Sequence, residues 1–244
     1  MKLNRRSVLG AIGTIGIGTG AAFGSGAFTS TTADRAVEVN VFGANTTTDG
    51  IVEVDDLADN DEDRQTAQED IADTITNNAV DVLVDISSDS VAVRANSDQT
   101  LFTSGADLFP SPTDGAVSVY GATDASAFGQ NEAKYVSLVA NDVTIVFGPG
   151  DGDGAGVPPN SVLTYDPFFA FADPESNGSS VEFQTSNTEN APLLTNIGGN
   201  DVDSTNSSGV DLGAVSNGNQ EKAEITTGTA STETEDLDIV IGSS

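Results

Sequence analysis

Apolar residues recur at every second position in many short runs of this chain, and that period excludes most folds. Val37, Val39 and Val41 alternate with Glu38 and Asn40. Val80, Val82, Val84 and Ile86 alternate with Asp81, Leu83 and Asp85, and Val91 and Val93 follow a turn at Ser88–Ser90. Val117 and Val119 open another run. Tyr135 to Ala140 and Val143 to Phe147 flank Asn141 and Asp142, which read as a hairpin turn. Later runs are Val162–Tyr165, Phe168–Phe171, Val181–Phe183, Lys222–Thr226 and Leu237–Ile241. A two-residue period puts alternate side chains on opposite faces of a strand. Gly, Asn, Asp, Ser and Pro clusters between the runs supply turns. Many short strands with turns between them predict an all-β fold, an antiparallel β-sandwich of jelly-roll type. Strands and helices do not alternate, which argues against a parallel nucleotide-binding sheet. The cluster Tyr165, Phe168, Phe169 and Phe171 reads as core packing.

One segment breaks the period. Residues 60–77 place Ala67, Ile71 and Ile75 at helical spacing. Asn60 can cap such a helix, and acids in its first turn favour the N-terminal dipole. Thirteen acids and one arginine fall within 49–85. The expectation is a short acidic surface helix inserted between strands. The stretches 148–161 and 196–219, rich in Gly with Asp and Pro or Asn and Ser, read as loops.

The first 27 residues read as a targeting signal. Lys2, Arg5 and Arg6 precede a short apolar stretch from Val8 to about Phe23, and Ser25 and Ala27 are small residues at the −3 and −1 positions of a cleavage site. The pair Arg5-Arg6, followed by Ser7, Val8 and Leu9, fits the twin-arginine export route. The apolar run is short and broken by Gly, whereas a bilayer span needs about 20 residues. The expected mature chain is a single domain over 28–244, extracellular or at the cell surface, touching a membrane only if the leader is retained.

Charge describes the solvent. The 244 residues carry 38 acids against 8 bases, a net charge of −30. Without its leader the chain keeps Arg35, Arg64, Arg94, Lys134 and Lys222 against the same 38 acids, a net of −33. Such a surface repels itself at ordinary ionic strength. Near 1 M salt the Debye length shrinks to about 3 Å and the repulsion is screened. A Val-rich, strand-patterned chain this acidic reads as a halophile protein. Nucleic acid and anionic membranes both favour basic patches and are not expected partners.

The chain has no Cys, His or Trp. Disulfides, thiolate nucleophiles, histidine metal sites and imidazole acid–base chemistry are therefore excluded. Asp151 and Asp153 resemble the start of a calcium loop, with Gly156 at the tight-turn position. Ala155 and Val162, however, stand where the third ligand and the bidentate Glu belong. Asp59, Asp61, Asp63 and Asp70 have comparable spacing, but Arg64 occupies the glycine position. Ca2+ at Asp151 and Asp153 is the only cofactor suggested, and solvated loops explain these acids better. A glycosidase needs two converging carboxylates, and nothing marks such a pair, so no enzyme is expected. Asn45, Asn177 and Asn206 head glycosylation sequons in expected loops.

The junction GSGAFTSTTADRAVEVNV (24–41) resembles a group of proteins exported by halophilic archaea, as does GAGVPPNSVLTYDPFFAF (154–171). The group is similar, more distantly, to the TasA/camelysin jelly-roll proteins. That resemblance implies extracellular fibres built by donor-strand exchange, with the mature N-terminus paired into the next subunit. Val37, Val39 and Val41 would then form the donor strand. An added strand gains main-chain hydrogen bonds and fills pockets with alternate side chains. The alternatives are that these valines form the first strand of their own sandwich, and that the protein is a monomeric binding module for polysaccharide or cations. A carboxylate-dependent hydrolase is the remaining alternative.

Overall fold

A computed structural model describes residues 37–42, 68–69, 71–73, 75–77, 79–96, 99–105, 108–110, 120, 134–149, 156–175, 178–185, 193–202, 209–229 and 233–242. All of them fall within one compact unit, Thr32–Ser244. The valine periods form strands as expected, except that Val117 and Val119 lie outside the described residues. In chain order these are β1 (Val37–Phe42), β2 (Asp81–Asp85), β3 (Val91–Ala95), β4 (Leu101–Phe102), β5 (Tyr135–Ser137), β6 (Val143–Phe147) and β7 (Val162–Ala172). They continue with β8 (Ser180–Thr185), β9 (Leu194–Ile197), β10 (Asn200–Asp201), β11 (Val210–Ala214), β12 (Gln220–Thr226) and β13 (Glu233–Gly242).

The strands build two sheets. One has seven strands in the order β11-β8-β13-β1-β6-β3-β4, the other six in the order β10-β9-β12-β7-β2-β5. All pairings are antiparallel except β1 with β13. The chain changes sheet at most connections, as in a jelly roll. Val93, Ile145, Phe183 and Leu237 from the larger sheet meet Val84, Phe169, Phe171 and Ile225 from the smaller one in a single buried core. The protein is an antiparallel β-sandwich.

Phe168 and Phe169 are neighbours in sequence, yet both face this core. Strict alternation forbids that. The β7–β12 register shifts between Glu221 and Ala223, whose partners are Phe169 and Tyr165. The extra residues of β7 bulge, and a bulge resets which face a side chain takes. Phe169 then packs between Phe168 at 4.8 Å and Phe183 at 4.7 Å between ring centroids.

Three local expectations are corrected. Asn141 and Asp142 do not turn a hairpin, because β5 and β6 lie in different sheets. Asn141 is buried, and its Nδ2 donates to the carbonyls of Phe109 at 2.7 Å and Ser137 at 2.8 Å. That side chain satisfies backbone groups that a sheet-crossing turn leaves without ladder partners. The stretch 196–219 is not all loop: the end of β9, all of β10 and all of β11 fall within it. These strands carry few apolar residues because they lie at or beside sheet edges, where one face needs no core contact.

The acidic helix is present at 68–69, 71–73 and 75–76 but is more than a surface feature. Gln68, Ala72, Ile75 and Thr76 are buried, at spacings of four, seven and eight, while Ile71 is half-buried. The buried stripe is thus turned by one residue from the expected one. Ala72 and Ile75 pack with Leu83, Phe109, Tyr120, Tyr135, Ala140, Ala170 and Ala172 on the outer side of the smaller sheet. That layer also covers Asp81 and Asp85, so β2 is buried on both faces.

Candidate functional site

The first strand occupies an unusual place. β1 lies inside the larger sheet, parallel to the last strand, β13, and antiparallel to β6. Its backbone register sets Val37 opposite Phe147 and Glu233, Val39 opposite Ile145 and Glu235, and Val41 opposite Leu237. Phe147, Ile145, Glu235 and Leu237 are all buried. The valine positions thus share their rows with the sandwich interior. A slip of one residue would put Glu38 and Asn40 there instead, so the register is strongly specified.

The walls of this slot have support of their own along part of their length, because Glu233–Asp236 of β13 pair with β1 alone. Beyond it, Leu237–Gly242 of β13 pair with β8, and Val143–Phe147 of β6 pair with β3. Without β1 the seven-stranded sheet would divide into β11-β8-β13 and β6-β3-β4. Those halves would be separated by two strand spacings, about 10 Å. Both would still be held by the core they share with the smaller sheet.

The outer edges offer less. β4 and β10 have two residues each, β5 has three, and β11 is interrupted by a register shift between Asp211 and Ala214. Gly213 takes φ 67° in that irregularity, a conformation Gly adopts at little cost. Short and bulged edges resist pairing with another chain. Between β13 and β6 lies a main-chain docking place that spans all of β1.

Glu235 is the chemical surprise of the slot. It is 3% exposed, on the same strand face as Leu237 and Ile239. Its Oε2 accepts the Leu194 amide at 2.8 Å from the opposite sheet, while Oε1 has no hydrogen-bond partner. Burial raises its carboxyl above the usual range, backbone amides of Leu194 and Leu193 partly offset that, and Asp236 adds to the rise. β1, β6 and β13 carry no base. Sequence reasoning passed over Glu235 because it stands in the acidic run ETEDLD. Its shared parity with Leu237 and Ile239 was the available signal.

A second buried carboxyl lies under the helix. Asp81 accepts Ser137 Oγ at 2.7 Å and interacts with the Tyr120 hydroxyl. Burial lifts its pKa to about 7 against those hydrogen bonds. Burial likewise pushes the Tyr120 phenol well above its ordinary value, with Asp81 adding to it. Ser137 Oγ also accepts the amides of Val139 at 3.2 Å and Ala140 at 2.9 Å. Asp81 and Ser137 are fully buried, so no substrate reaches them. The group fastens the outer layer to β2 and β5.

The other predicted sites, Asp151 and Asp153, Arg5, Arg6 and Ala27, and Asn45, Asn177 and Asn206, lie outside the described residues, as do Asp59, Asp61, Asp63 and Asp70. Among the described residues no group of three or more acids could hold a metal ion. No helix among them is long and apolar enough to cross a membrane. Comparison with family models, with curated proteins and with solved structures finds no match.

Proposed function

We propose that this protein is an exported structural subunit of a halophilic archaeal surface, assembling into filaments by donating β1 to the slot of a neighbouring copy. The observation that carries this reading is the seat of β1: the first strand lies in a sheet interior, between two strands that each have a second partner. Donated or retained, β1 makes the same contacts. Each main-chain hydrogen bond contributes about 0.5–1.5 kcal/mol net. A valine contributes about 1.5–3 kcal/mol wherever its side chain is fully buried. Because these gains are equal in the two arrangements, effective concentration decides between them. A dilute chain fills its own slot, and a crowded one exchanges. The charge of −33 per mature chain opposes assembly unless salt screens it.

Electron microscopy of the protein at multimolar KCl tests this directly. The complete mature chain should form filaments, and a chain lacking residues 28–41 should remain a soluble β-rich fold without them. Filaments that persist after the deletion would overturn strand donation.

A further inference from the structure

We propose that filling the slot between β13 and β6 is coupled to proton uptake at Glu235, so that acid favours the seated strand and alkali releases it. The inference rests on the slot reading above but applies whether β1 comes from the same chain or another. Glu235 stands at the register position of Val39, the midpoint of β1. Emptying the slot bares the edge of β13 at that residue and lets water reach a carboxyl that is otherwise 3% exposed.

The surroundings leave the charge nothing to pair with. From β9 and β8 the neighbours are Leu193, Leu194 and Thr185, all uncharged. On β6, across β1 in the same row, stands Ile145. The other titratable groups nearby are Glu233, Asp236 and Asp238 on β13 itself and Glu38 on β1, all acids. The amides of Leu194 and Leu193 and the Thr185 hydroxyl steady the ionised form only in part against burial, and Oε1 has no hydrogen-bond partner. An ionised Glu235 is therefore disfavoured while the slot is filled and favoured once water enters. The filled state binds the proton more tightly, so filling gains a proton. Occupancy is greatest below the ordinary carboxylate value of 4.5 and declines as pH rises through the raised value. One coupled proton changes the equilibrium by at most about tenfold per pH unit.

Hydrogen exchange of the full chain in high salt, corrected for intrinsic amide rates, reads this at residues 37–42. In the wild type, protection of that segment should fall with rising pH by up to about tenfold per unit. Glu235→Gln should hold protection nearly constant, while Asp238→Asn, another acid on the same strand, should keep the wild-type slope. A flat wild-type profile, or equal slopes in wild type and Glu235→Gln, would overturn the coupling; if Glu235→Gln does not fold, Asp81→Asn, which removes the other buried acid's pH term, decides, and a flat profile in it would overturn the coupling. Filaments with a flat profile would remove the coupling and leave strand donation standing. A sloping profile without filaments at any pH would do the reverse.

Discussion

Among single residues, the buried acids are most informative. Asp81 has a folded-state pKa of about 7 against an ordinary value of 3.8. Below the ordinary value both states are protonated and no penalty exists. As pH rises toward 7 the unfolded chain releases its proton and the folded one does not, so stability falls, by up to about 4 kcal/mol. Asp81→Asn keeps an acceptor for Ser137 and removes the charge. Denaturant titrations at pH 5 and pH 8 in high salt should show the wild type losing several kcal/mol, with Asp81→Asn losing markedly less. Equal losses would contradict the assignment. In sequence, Asp81 and Asp85 only alternate with Val82 and Val84, which is all a single strand reports. What covers their face of the strand comes from the helix and from Phe109 and Tyr120, which are distant in sequence. No local period carries that information.

At the scale of elements, strands were legible where apolar residues alternate and illegible where edges relax that demand. The valine runs of β2, β3 and β6 are the clear cases. β11, with Val210 its only fully buried residue, is the opposite one. β11 depends on Gly209, where an added Cβ would sit 2.1 Å from the Phe183 carbonyl oxygen. That atom is backbone of β8 and cannot step aside cheaply. Gly209→Ala should cost about 1–3 kcal/mol, lowering the denaturation midpoint and raising hydrogen exchange in β11 first. An unchanged midpoint would show that β11 is not held as described. The helix was legible in its existence but not its facing, since Ala67, Ile71 and Ile75 form as regular a stripe as the one that is buried. Ile75→Ala should destabilise by about 2–5 kcal/mol with little change in the urea m-value, whereas Glu69→Lys, on the exposed side, should stay within about 0.5 kcal/mol.

For the whole molecule, two properties work together: a sandwich that carries a net charge of −30 and a first strand seated inside its own sheet. The charge makes stability conditional on salt. The Debye length is about 10 Å at 0.1 M and about 3 Å at 1 M. Circular dichroism should therefore show native strand signal in multimolar KCl and its loss at 0.1 M. Full stability at 0.1 M would count against the halophile reading. The strand's place is what links the fold to the proposed assembly, and the absence of cysteine makes that proposal testable without background. Asn40 and Thr144 are register partners across β1 and β6. Chains bearing Asn40→Cys should be mixed with chains bearing Thr144→Cys, oxidised in high salt under assembly conditions, and resolved by denaturing electrophoresis. Strand donation predicts a disulfide-linked heterodimer that needs both variants. Monomers alone in that mixture, with efficient internal closure in a chain carrying both cysteines, would contradict it.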